Sequence, residues 1–271
     1  MATAVLVKPL QVMASHPARV IAAPISPPIS WNIITWLLGI PSSSSHALIG
    51  GLIGAALTRT GWDGVAWGGF TKTAVAIVGS PVMGFLLALL LVLIVSWLFV
   101  RSSPQFGDKV FRRLQFVSAS LYSLGHGGND AQKTMGIIMA LLISRGQMGP
   151  DADVPFWVVI TCQAAMGLGT LMGGWRIVHT MGSKITRLSP MQGFCAETGG
   201  AITLFGATFL GIPVSTTHTI TGAIVGVGAS RRASAVRWNI AGRIVIAWVV
   251  TIPAAGALAA AFCWLASAAG L

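Results

Sequence analysis

GIPSSSSHALIGGLIG at residues 39–54 and GIPVSTTHTITGAIVG at residues 211–226 are two copies of one pattern, set 172 residues apart. Seven of the sixteen positions are identical: Gly39/Gly211, Ile40/Ile212, Pro41/Pro213, Ser43/Ser215, His46/His218, Gly50/Gly222 and Gly54/Gly226. The same offset pairs Pro81 with Pro253 and Gly84 with Gly256 further along. Scattered glycines can coincide through composition, but a proline, a serine and a histidine in one register require an internal repeat. In each copy a proline and a run of hydroxyl residues precede a small-residue helical pattern, which marks a helix N-terminus. Both copies are short for a membrane span and rich in glycine, serine and threonine, which predicts broken or re-entrant helices.

The surroundings of the repeat place it in a membrane. The 271 residues are 54% hydrophobic and only 8% charged, with a mean hydropathy of +0.79. A soluble domain carries roughly a quarter of its residues as charges, and a chain of this size could not hide so much apolar surface in one core. A soluble α/β protein with buried strands fails on length. Residues 73–100 run for 28 positions without a charge, whereas a buried strand needs about six and a spanning helix about 20. Apolar segments fall at 22–38, 42–58, 73–99, 114–143, 154–175, 190–210, 215–229 and 240–267. The expected fold is therefore an all-α polytopic membrane protein. The net charge of +11 does not point to nucleic acid, because the 17 basic residues lie mostly in short connections between apolar segments. Cys162, Cys195 and Cys263 form no CxxC pair, so neither a disulfide framework nor a metal site is expected.

Loop charges give the orientation. Arg101, Lys109, Arg112 and Arg113 place residues 101–113 inside; Arg145 against Asp151 and Asp153 places 144–153 outside; Arg176, Lys184 and Arg187 return the chain inside. Arg231, Arg232, Arg237 and Arg243 mark a further inside connection. One span separates 59–72 from the inside connection at 101–113, so 59–72 belongs outside, while its repeat partner 231–244 is inside. The two copies then face opposite ways, the architecture of inverted-repeat secondary transporters. The expected organisation is an N-terminal connection at 1–21, the later part of a first repeat at 22–100, a basic cytoplasmic connection at 101–113 and a second repeat at 114–271.

The polar groups inside the apolar segments are the candidate functional residues. His126-Gly127-Gly128-Asn129-Asp130-Ala131-Gln132-Lys133-Thr134 is embedded between apolar runs. Charged groups at that depth cost several kcal/mol unless they meet a cavity or a partner. Gly127 and Gly128 predict an interruption of the helix there. Asp130 and Asn129 offer hard oxygens for Na⁺, or Asp130 carries a proton; Lys133, one turn on, either contacts a ligand or neutralises Asp130. Ser43, Ser44 and Ser45 in the first copy, and Ser215, Thr216 and Thr217 in the second, exceed what helix capping needs. Two opposed helix N-termini lined with hydroxyls suit a small oxyanion. His46 and His218 are read three ways: bridging to the anion, fixing a helix contact, or shuttling a proton. Glu197 is the only acidic residue after Asp153 and is expected to face a cavity as a cation ligand or proton site.

These motifs resemble the inorganic phosphate transporter (PiT) family. The resemblance rests on GHGGNDAQKTMGI at 125–137, GIPSSSSHALIGGLIGA at 39–55 and GIPVSTTHTITGAIVGVG at 211–228. WNIITWLLG at 31–39 and RWNIAGRIVIAWVVTIPAAG at 237–256 look like its low-affinity bacterial branch. The resemblance implies symport of inorganic phosphate, free or as a neutral metal complex, with H⁺ or Na⁺ by alternating access. It implies two inverted repeats around a central site, in a multi-pass protein of the bacterial inner membrane. It places phosphate among Ser43, Ser44, Ser45, Ser215, Thr216 and Thr217 and puts the family's ion and phosphate motif at Asn129 and Asp130. Taken with the polar groups above, Asp130 and Glu197 are the expected coupling-ion or proton residues, and His46, Gln132, Lys133 and His218 the accessory groups. No cofactor is expected; the partners expected are phosphate, the bilayer and a second copy of the chain in a homodimer. One departure is that the family carries an Asn-Asp motif in both halves and only Asn129-Asp130 is present here. Subtracting the repeat offset from 129 gives a position before residue 1. The first repeat is therefore expected to lack its N-terminal membrane segments, and the chain alone to transport poorly.

Alternatives are a carrier of another oxyanion such as sulfate and a non-transporting membrane component. An enzyme is not expected, since neither HExxH nor GxSxG occurs.

Overall fold

The computed structural model describes residues 26–65 and 67–269, so the expected connection at 1–21 lies outside the described residues. Nine α-helices are found among them: α1 (Ser26–Leu38), α2 (Ser44–Thr60), α3 (Trp67–Leu98), α4 (Pro104–Ser144), α5 (Phe156–Leu171), α6 (Trp175–His179), α7 (Pro190–Phe209), α8 (Thr216–Ala229) and α9 (Trp238–Ala268). The all-α reading holds for these residues. α3 and α9 are each long and apolar enough to cross a membrane, and α5 with the α6 segment through Lys184 makes a third candidate, bent by 67°. The expected single segment at 154–175 is thus broken after Leu171, where Gly173 and Gly174 adopt φ of +134° and +103°.

The repeated motif folds the same way twice. α1 and α7 each end at a glycine in the left-handed region, Gly39 at φ +68° and Gly211 at φ +67°. In both, the last carbonyls are satisfied by a paired turn: Gly39 N–H to Trp36 O and Ile40 N–H to Thr35 O, Gly211 N–H to Thr208 O and Ile212 N–H to Ala207 O. The proline two residues on stops any continuation. Ser43 and Ser215 then start α2 and α8 as N-caps, accepting from the backbone N–H of His46 and His218. Gly-Ile-Pro-x-Ser is therefore a stop followed by a start, and it makes each segment a helix–break–helix hairpin.

The equivalent helices exchange partners. α2 packs on α9 and α8 packs on α3. A Cβ on Gly50 or Gly54 would strike the carbonyl of Ile252 or Gly256, and one on Gly222 or Gly226 would strike that of Pro81 or Phe85. The glycines let backbones touch, the packing used where lipid supplies no hydrophobic drive between helices. In both pairs the contacts advance together along the two chains, so each pair runs parallel. The outward faces of α3 and α9 are apolar, with Val75, Val78, Leu90, Val249 and Val250 exposed.

The expected interruption at Gly127–Gly128 is not found: α4 is one continuous helix of 41 residues, about 60 Å at 1.5 Å per residue. Two glycines weaken a helix by about 2 kcal/mol. A break in an apolar setting strands several backbone groups at several kcal/mol each, so continuity wins. The glycines instead leave room beside Asp130: a Cβ on Gly127 would meet only Gln163 Oε1 at 3.8 Å, and one on Gly128 nothing within 4 Å. The positions predicted as the connection 101–113 are mostly the first turns of α4, capped by Ser103.

Candidate functional site

The two N-caps meet. Ser43 Oγ and Ser215 Oγ lie 2.9 Å apart, and both side chains are 1% exposed. One turn into each helix, His46 and His218 pack edge to face with centroids 4.5 Å apart. Their Nδ1 atoms bond the Trp248 and Ile77 carbonyls at 3.0 and 3.2 Å, and Trp248 stacks on His218. Residue i thus touches residue i+172 twice, at Ser43–Ser215 and His46–His218. Through these contacts the two rings join α2 and α8 to α9 and α3, and among the described residues both Nε2 atoms are buried without a partner.

The charged cluster sits on one flank of this junction. Lys133 Nζ donates to Asp130 Oδ1 at 2.7 Å, to Ser45 Oγ at 2.7 Å and to the Val214 carbonyl at 3.0 Å. One ammonium therefore ties α4 to the starts of both repeated helices. The other oxygen of Asp130 accepts from Thr216 Oγ1 at 3.2 Å and lies 3.2 Å from His126 Nε2. Asp130 is thus held from three sides, and its charge is balanced within the cluster, as a buried carboxylate requires.

The remaining predicted residues are dispersed. Asn129 is buried, and its Nδ2 reaches Thr208 Oγ1 at 3.4 Å beside the α7–α8 break, with Oδ1 unpaired. Ser44 is exposed, while Thr217 and Gln132 are half-buried. Glu197 lies elsewhere, on α7, where it accepts from Ser118 Oγ at 2.5 Å. Ser118 is twelve residues before Asp130 on α4, about 18 Å along the helix.

Two functional-looking residues, Ser118 and Tyr122, were missed in the sequence. Ser118, Tyr122, His126 and Asp130 recur every four residues, followed by Lys133, so one face of α4 carries a continuous polar stripe. Tyr122 lies between the Glu197 and Asp130 ends and donates to the Thr216 carbonyl at 3.1 Å. The four-residue spacing inside an otherwise apolar run was the available signal.

Helix N-termini converging inside an apolar helical bundle, with a buried ion pair beside them, define a polytopic membrane protein built for a polar cargo. The profile described as the phosphate transporter family matches residues 4–108 and 102–259, and the chain belongs to that family. It is 72% identical over 249 residues to a probable low-affinity inorganic phosphate transporter of Rhizobium meliloti (strain 1021), covering 92% of this chain and 74% of that one. It is 47% identical over 241 residues to a protein of the same description from Bacillus subtilis (strain 168), covering 89% and 72%. A solved structure described as the sodium-dependent phosphate transporter superposes with a TM-score of 0.84, covering 98% of this chain and 85% of that chain at 24% identity. That likeness concerns the fold.

Proposed function

We propose that the chain is a secondary transporter that carries inorganic phosphate across the bacterial inner membrane together with a monovalent cation. The observation that carries this reading is the buried meeting of the Ser43 and Ser215 N-caps beside Asp130 and Lys133. Helix N-termini supply N–H donors and positive dipole ends to an oxyanion, and Lys133 adds a buried cation beside them. Family membership supports phosphate as the oxyanion. Ser43, Ser45, Ser215 and Thr216 are the proposed phosphate contacts, with Ser44, Thr217 and Asn129 reached only after rearrangement. Asp130 is the proposed coupling-ion group and Glu197 a second one at the far end of the polar stripe; Gln132 is accessory.

The finer topology belongs to the same proposal. With 59–72 outside and 231–244 inside, α2 runs outward and α8 inward from the junction. α3, parallel to α8, then runs inward, and α9, parallel to α2, outward. These directions agree with the basic connection near 101–113 being inside, which supports two inverted repeats whose half-helices start at the membrane centre. A homodimer belongs to the same proposal.

The test is labelled-phosphate uptake into proteoliposomes under imposed H⁺ or Na⁺ gradients, with excess sulfate as competitor. The expected result is uptake driven by one gradient, insensitive to sulfate, and lost in Asp130→Asn. Uptake that excess sulfate abolishes, or that persists unchanged in Asp130→Asn, refutes the reading.

A further inference from the structure

A second feature adjoins the turn that leads into Ser43, between α1 and α9 at the end of the molecule where α9 begins. A cavity of about 440 Å³ opens there. Its walls include Ile34, Leu38, Ile244 and Val250, and two cations, Lys184 and Arg243, border it. Both are exposed, and among the described residues neither has an acidic partner, since the ion pairs there are those of Asp130 with His126 and Lys133. Along α9 the lining runs from Ile240 to Thr251, about 16 Å at 1.5 Å per residue. Trp31 closes the deep end through its indole N–H to Thr251 Oγ1.

The cavity has the polarity of an amphiphile. Its cations stand at the end nearest the α9 N-terminus and its apolar walls extend toward the middle of α9. Free phosphate could use the cations but nothing in the aliphatic walls. Ordinary cations flanking a membrane span satisfy the inside-positive rule without any cavity beneath them. Basic pockets between spanning helices on the cytoplasmic side are where anionic headgroups settle.

We infer that this cavity binds an anionic phospholipid of the cytoplasmic leaflet, its phosphate on Lys184 and Arg243 and one acyl chain along α1 and α9. The leaflet follows from the topology proposed above; the binding itself does not depend on transport. An occupant at this place touches α1, which leads into the Ser43 turn, and α9, whose Trp248 donates to the Pro41 carbonyl at 3.2 Å. Lipid composition would then act on the junction through packed helices.

The experiment is native mass spectrometry of the purified full chain, exchanged into mixtures of phosphatidylglycerol and phosphatidylcholine. Retention is compared for the parent, Lys184→Gln, Arg243→Gln and Ala247→Phe, the last narrowing the cavity without touching charge. The expected result is preferential retention of phosphatidylglycerol, weakened about fivefold by each loss of a cation and also by Ala247→Phe, and unchanged by millimolar inorganic phosphate. Equal retention of the two lipids overturns the inference. So does displacement by inorganic phosphate, which would mark a free-anion site, or a dimer that excludes lipid and is lost in Ala247→Phe, which would put a second copy in the groove. Because binding is read directly, failure of the transport reading would leave this one standing.

Discussion

Replacing Lys133 by methionine tests whether the cluster is the tie that the geometry describes. The substitution keeps the length of the side chain and removes three hydrogen bonds, at 2.7 Å to Ser45, 2.7 Å to Asp130 and 3.0 Å to the Val214 carbonyl. Lys133 is 8% exposed, so water cannot replace what is lost without entering the bundle. Asp130 keeps the Thr216 and His126 contacts, each at 3.2 Å, and becomes a buried carboxylate without its cation. Deleting one partner of a buried pair costs about 3–5 kcal/mol. At about 2–4 °C per kcal/mol for a chain of this size, the melting temperature should fall by roughly 6–20 °C. The assay is tryptophan-fluorescence melting of purified protein in detergent. Asp130→Asn serves as the companion, because it leaves Lys133 bonded to Ser45 and Val214. In the double variant both charges are gone, so the loss should be smaller than the sum of the singles by about 1–3 kcal/mol. A Lys133→Met midpoint within about 2 °C of the parent, or strict additivity in the double variant, would refute a buried, mutually dependent pair.

Three further outcomes follow from the frame. Gly222→Ala drives a Cβ into the Pro81 carbonyl and should cost about 1–3 kcal/mol, whereas Gly128→Ala meets nothing within 4 Å and should be neutral or stabilising by up to about 1 kcal/mol; paired melts decide. Ser43→Ala and Ser215→Ala should each cost about 1 kcal/mol as lost caps. Their double variant should fall short of the sum, since the two singles share one Oγ–Oγ bond. For topology, Asp63→Cys in sealed right-side-out vesicles should react with an impermeant maleimide and Arg232→Cys only after permeabilisation. Background should be low, because Cys162, Cys195 and Cys263 are 5%, 0% and 1% exposed, and the reverse pattern would overturn the proposed orientation.

The two repeated stop-and-start breaks were legible because each has a local cause. The Gly-Ile-Pro-x-Ser stop and start is written in five consecutive residues, and long charge-free runs leave a membrane chain no alternative to helix. The Gly127–Gly128 interruption was misread because local propensity, about 1 kcal/mol per glycine, was set above the backbone cost of a break in an apolar medium. The meeting of Ser43 with Ser215 was foreshadowed by the repeat, although no local pattern says that the equivalent ends touch. Lys133 reaching both Ser45 and Val214, and Glu197 pairing with Ser118, depend on how α4 lies against α7 and α8. Long-range packing of that kind leaves only the four-residue polar spacing as a trace in the sequence.

The duplicated frame and the ion pair beside it bear on how such a junction could move. Backbone turns, caps and histidines are duplicated; among the described residues the buried ion pair lies on α4, and Ser45 is bonded by Lys133 while the equivalent Thr217 shows no comparable side-chain bond. If α2 and α8 separate to pass a ligand, the bonds that must open first are Ser43–Ser215 and Lys133–Ser45. A neutral hydrogen bond is worth about 0.5–1.5 kcal/mol net and one to a charged group about 1.5–3. Their sum, about 2–4.5 kcal/mol, is within what differential ligand binding supplies to shift a two-state equilibrium. Lys133 would keep Asp130 during that opening, both lying on α4, so the pair would travel as a unit while the serines part. An anion entering between the caps could take over Ser43, Ser215 and Ser45 together, replacing each broken bond with one to itself. On this reading the ion pair is the fixed element and the serine junction the gate. Ser45→Ala should then ease opening and weaken phosphate binding at once, a combination that a purely structural Ser45 would not produce.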